Sequence, residues 1–182
     1  MHTLHWIAVE AESEEQAYET VRAALTESSF ASWSDWHVAG GGRWHSKGDQ
    51  YQYEDDPSDV VSYKKDPDKF IEIVNGIVLR RQNALLDLMK YMKQSPETIL
   101  YECRQKFMRN DIWPSPIIEQ DTLNMPLYYL NRLVSILNDD YTSESGLYDL
   151  VDYSASVKQL RERMLNEEAS QKQYLVPVDF HF

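Results

Sequence analysis

At 182 residues, 42% of them hydrophobic and 12% aromatic, the chain is long enough for one complete hydrophobic core and short for two, and its composition is that of a globular protein. No stretch reaches the roughly 18 to 20 consecutive apolar residues that a membrane-spanning helix requires. The formal net charge of −12 argues against binding to a nucleic-acid backbone, which needs clustered Lys and Arg.

The charge is unevenly spread. Residues 1–63 carry 12 acidic and 3 basic side chains, a balance of −9, while residues 64–182 carry 18 and 15, a balance of −3. An acidic decoy for a basic partner fits this asymmetry, and so does charge retained for solubility alone. The lone cysteine, Cys103, allows no disulfide and fits a small core residue in a reducing compartment. The first ten residues lack a basic leader and a small-residue cleavage site, so they are expected to open the fold itself, in the cytoplasm.

In chain order, residues 3–10 alternate around Trp6, Ile7 and Val9 and predict a strand. Ser13 with Gln16 has the spacing of a capping box, and Ala17, Val21, Ala24 and Leu25 continue as a helix. Residues 33–38 predict a second strand, ended by Gly40, Gly41 and Gly42. From Trp44 to Pro67 the chain is polar, an expected excursion or hairpin with a short strand at residues 60–63.

Pro67 suits the first turn of a long helix reaching about residue 94, which Asn75-Gly76 is expected to interrupt or bend. Ser95-Pro96-Glu97 signals a new helix over 96–110 through Ile99, Leu100, Cys103 and Phe107, broken at Trp113-Pro114-Ser115-Pro116. Further helices are expected from Thr122 or Pro126 to Leu137 and from Ser154 to Gln171. The period then changes to alternation, so residues 174–182 predict a terminal strand inside a sheet. The expectation is one α+β domain over 1–182. Its small sheet comes from the N-terminal β-α-β unit and the C-terminal strand (residues 1–63 and 173–182), with an inserted helical block (64–172).

All five histidines, His2, His5, His37, His45 and His181, fall in the parts assigned to the sheet or its loops. Asp35 with His37 and Asp179 with His181 are i, i+2 pairs, which share one face of a strand. Such a pair supplies either two metal ligands or a carboxylate that orients an imidazole for general-base work; a structural, hydrogen-bonded histidine is the plainer alternative.

Three glycines after a strand let backbone N–H groups approach an anion. Arg43 adds a bidentate fork for phosphate or carboxylate, and Trp33, Trp36 and Trp44 offer faces for stacking. Gly41, Gly42, Arg43, Trp44, Trp36, Asp35 and His37 are therefore the candidate ligand-binding residues. The alternative is a plain turn, with Arg43 paired to a local acid. The pattern is neither a Walker loop nor a dinucleotide fingerprint, and no cofactor or metal is assigned. Tyr51, Tyr53, Tyr63, Tyr128 and Tyr129 are either partner-contact surface or packing.

The pattern Trp-x-Asp-Trp-x-x-x-Gly-Gly-Gly-Arg-Trp over residues 33–44, with Val-Asp-Phe-His at 178–181, resembles small uncharacterised proteins of bacteriophages and bacteria. The likeness covers about the first 45 residues and the last ten. It implies a phage or mobile-element setting and a shared site that joins Arg43, Trp44, Asp179 and His181. The expected function is binding of an anionic small molecule or nucleotide, sequestering or degrading a host signalling nucleotide, with His181 oriented by Asp179 as the base if turnover occurs. The alternative is an acidic, non-enzymatic inhibitor of a host defence protein or nuclease.

Overall fold

The C-terminal strand is the axis of the sheet. A computed structural model describes residues 2–27, 31–32, 34–52, 55–93, 134 and 145–181, excepting the side chains of residues 91 and 92. The strands are β1 (His2–Glu10), β2 (Trp36–Ala39), β3 (Val61–Ser62), β4 (Leu147–Asp149) and β5 (Gln173–His181). β5 pairs antiparallel with β1 along its whole length, from Glu10 opposite Gln173 to His2 opposite His181. Its other edge carries β2 and β3 in succession, both antiparallel, and β4 lies parallel to β1. The architecture is α+β around this mixed sheet. The N-terminal β-α-β unit forms as expected, but with β5 inserted between its two strands.

Strand alternation divides the core in two. On one face Tyr174, Val176, Val178 and Phe180 of β5 join Ile7 and Val9 of β1, covered by helix α1 (Glu14–Glu27) through Ala17, Tyr18, Val21 and Leu25. The other face has Ala8, Leu147 and Leu175 under Phe70, Val74 and Ile77 of helix α2 (Pro67–Met92) and Leu160 of helix α3 (Val157–Met164). Burial on both faces explains why β5 reads as a nearly continuous apolar run. Pro177 interrupts it harmlessly: its carbonyl accepts from Gly40 N at 2.8 Å, so its missing donor faces the junction between β2 and β3 and spares the β1 ladder.

The helix starts follow local chemistry. Gln16 N donates to Ser13 Oγ at 3.2 Å, and Glu12 N to Gln16 Oε1 at 2.8 Å, closing the turn before α1 from both sides. Pro67 opens α2, with Lys69 N donating to Asp66 Oδ1 at 3.0 Å. α2 continues unbroken through Asn75-Gly76, where a Cβ would meet nothing within 4 Å. One helix turn of tolerated glycine costs only about 1 kcal/mol against alanine.

The helix expected over 154–171 is two. Ser156 caps α3, and Asn166 restarts the chain as a short helix α4 (Glu167–Ser170) by accepting from Ala169 N at 3.0 Å. Strand β4 falls within the stretch assigned to the helical block. The chain divides into two compact units, 1–79 with 139–182 and 80–138. The expected helix over 96–110, its proline-rich break and the cysteine within it lie outside the described residues, as does all but Val134 of the helix expected to end at Leu137. Among the described residues no helix is long and apolar enough to cross a membrane.

Candidate functional site

One carboxylate joins three segments of the chain. Asp179 is fully buried on β5, and both its oxygens lie 3.1 Å from His2 Nδ1, on the neighbouring strand β1. Its Oδ2 also accepts from the Arg43 backbone N at 3.0 Å, from the turn that follows β2. An anion removed from water needs donors in place of its hydration shell, and here two N–H groups supply them. The geometry follows from register: His2 faces His181, and Leu4 faces Asp179, so His2 lies diagonally across from the carboxylate on the same face.

Above Asp179 three rings meet. Trp36 stacks on His181 with centroids 5.1 Å apart and planes 11° from parallel. His2 meets both edge-on, at 5.3 Å from Trp36 and 4.9 Å from His181. His181 Nδ1 is buried without a hydrogen-bond partner, and the nearest carboxylate oxygen, Asp35 Oδ2, stands 3.6 Å away. The two Asp-x-His pairs are thus exchanged across strands. Asp179 serves His2, which sequence reasoning left out, rather than His181; Asp35 approaches His181 rather than His37. The signal for His2 was its place on a strand opposite the last histidine, which only the register makes meaningful.

His37 belongs to the other face. It pairs with Phe180 in register and lies 5.9 Å from that ring, on the α1 side. Burial holds its imidazole below the usual histidine value, and the Asp55 carboxylate opposes that shift in part. It does not join the His2 cluster.

The glycine turn gives one N–H, that of Arg43, to the chain's own Asp179. Gly40 N bonds Pro177 O at 2.8 Å, Arg43 N bonds Asp179, Trp44 N bonds Gly41 O at 2.8 Å, and His45 N bonds Gly42 O at 3.1 Å. Gly41 and Gly42 are buried. Of the three glycine N–H groups expected to face a ligand, that of Gly40 is engaged within the chain. What the turn presents outward is side chain: Arg43 is exposed, and Trp44 is 51% exposed. Trp33 lies outside the described residues.

His45 is structural. Its side chain is buried and stacks on Tyr51 at 4.6 Å. Lys47 N donates to Nδ1 at 3.1 Å, so Nε2 is left to donate to Ser58 Oγ, 3.2 Å away. His5 is buried edge-on to Phe180 at 5.2 Å. Tyr63 packs edge-on against Phe70. Among the described residues there is no cluster of three or more His, Cys, Asp or Glu that would hold a metal ion. Cavities of about 430 Å³, between α1 and β4, and about 330 Å³, between α2 and α3, are lined by none of the residues of the His2 cluster.

Comparison with protein-family models, with curated proteins and with solved structures finds no match to this chain.

Proposed function

We propose that the protein binds a small anionic ligand of nucleotide type through Arg43 and Trp44 of the exposed turn, next to the cluster of His2, Trp36 and His181. In that reading the Arg43 guanidinium takes a phosphate and an indole face takes the base. The resemblance to phage proteins gives the setting, sequestration or degradation of a host signalling nucleotide.

The observation that carries it is the state of Arg43. Residues 1–63 hold only three cations among 12 carboxylates. Arg22 Nε lies 3.2 Å from Asp55, and Lys47 Nζ lies 2.7 Å from Asp56, whereas the Arg43 guanidinium has no ion pair or hydrogen bond among the described residues. An unpaired, exposed guanidinium in so acidic a segment, next in sequence to an exposed tryptophan, suits an anionic aromatic ligand. Asp55 and Asp56 of the acidic run are engaged in those two ion pairs, so the inhibitor alternative gains nothing from these contacts.

Calorimetric titration with a panel of mononucleotides and cyclic and linear dinucleotides tests the proposal. Binding of at least one of them is expected, weakened on the order of 10- to 100-fold by Arg43→Ala, the value of a charge-assisted hydrogen bond. Wild-type protein that binds none of them, and carries no anionic ligand through purification by mass spectrometry, sinks it.

A further inference from the structure

We infer that the cavity between α1 and β4 is a second binding site, which takes a small organic cation with an aromatic body; it is independent of the anion site proposed above.

The cavity holds about 430 Å³, within the range of small-molecule sites. Its floor is sheet, made by Val9 of β1, Tyr148 of β4 and Leu150 just after β4. One wall is a single stripe of α1: Thr20, Ala24 and Glu27 are spaced i, i+4 and i+7 and so face the same way. The apolar floor favours a ligand with apolar surface to withdraw from water. The polar groups around it decide which ligand that is.

The charge of the lining has one sign. Among the described residues no lysine, arginine or histidine lines the cavity. Of its two carboxylates, Glu10 is already engaged: its Oε1 accepts from Gln173 Nε2 at 2.9 Å and lies 3.6 Å from Arg163 Nε. Glu27 has no hydrogen bond or ion pair among the described residues, and it ends a helix whose last turn carries no basic residue. The negative end of the α1 dipole therefore falls at the same wall as an uncompensated carboxylate. A cation bound there answers both.

Tyr153 is the independent sign of a ligand. It stands at the rim of the cavity, 79% exposed, with φ +50°, a left-handed conformation rare for a bulky side chain. The turn around it holds that conformation. Asp149 N donates to Ser154 O at 2.7 Å, Ser154 N to Asp149 O at 3.1 Å, and Val151 N to Asp149 Oδ1 at 3.0 Å, while Arg163 binds Asp149 and Asp152. Strain kept in place by so many contacts, at the mouth of a cavity, serves to present the aromatic ring. Tyrosine rings attract ammonium groups, so Tyr148 and Tyr153 add to the preference set by Glu27.

The test titrates the full chain with 2-phenylethylamine and with tryptamine, each against its neutral alcohol analogue, followed by amide NMR. The amines should bind at least about tenfold more tightly than the alcohols, with the largest shifts at Ala24, Tyr148 and Leu150. Glu27→Gln, an isosteric change at an exposed helix end, should bring amine and alcohol within about threefold of each other while the alcohol keeps its affinity. Wild-type protein that binds no amine, that binds amine and alcohol alike, or whose shifts fall away from this cavity overturns the inference. So does an amine preference that survives Glu27→Gln.

Discussion

Asp179 and Gly42 depend on each other. Gly42 has φ +50°, and a Cβ built on it would stand 2.7 Å from Asp179 Cβ and 2.9 Å from Asp179 Oδ2. The turn therefore approaches the carboxylate as closely as it does because position 42 has no side chain. Gly42→Ala should destabilise the protein by about 1–3 kcal/mol, read from denaturant midpoints, and should shift the His2 ring resonances by displacing their carboxylate. A midpoint and resonances unchanged from wild type would show that this contact is slack. The sequence made the glycines conspicuous without showing which anion they approach, since the two partners are 137 positions apart.

At the scale of elements, the far end of the sheet is tied by Arg163 of α3. Its guanidinium bonds Asp149 of β4 and Asp152, and its Nε donates to Gln173 Oε1 of β5 at 3.3 Å and lies 3.6 Å from Glu10 of β1. Burial raises the Asp149 carboxyl above its ordinary value, and the Arg163 contact opposes that rise. Arg163→Ala removes the compensation and leaves a fully buried carboxylate unpaired, so it should cost about 3–5 kcal/mol at neutral pH by urea denaturation. The deficit should shrink as pH is lowered toward 5, because the folded protein then protonates Asp149 before the unfolded chain does. A deficit independent of pH would assign the cost to lost packing alone. None of this network was anticipated: β4 is three residues long, and its polar member gains meaning only from a helix that follows it.

Across the whole molecule, proton uptake on unfolding shapes stability. His37, half-buried beside Phe180, has its folded-state pKa depressed, so the unfolded chain binds the extra proton first as pH falls below about 6.5. Its contribution is therefore complete above that pH and is lost on descending from it toward the folded-state value. The chemical-denaturation midpoint should decline over this interval, and His37→Gln should flatten the decline. An identical slope in the variant would place the titration elsewhere.

Local chemistry was enough to reveal the α+β class, the cap of α1, the start of α2 at Pro67 and the strand character of the last residues, because capping and side-chain period are properties of neighbours in sequence. It also put Asp179 and His181 on one face. Only the tertiary structure decided that β5 lies between β1 and β2, and with it which histidine meets which carboxylate. Register is the physical reason: a shift of one residue between β1 and β5 would turn His2 to the α1 face and dissolve the cluster, and no short-range preference sets that pairing. The segment around Arg43 was visible as a string. That its backbone serves Asp179 while its side chains face outward is a property of the fold.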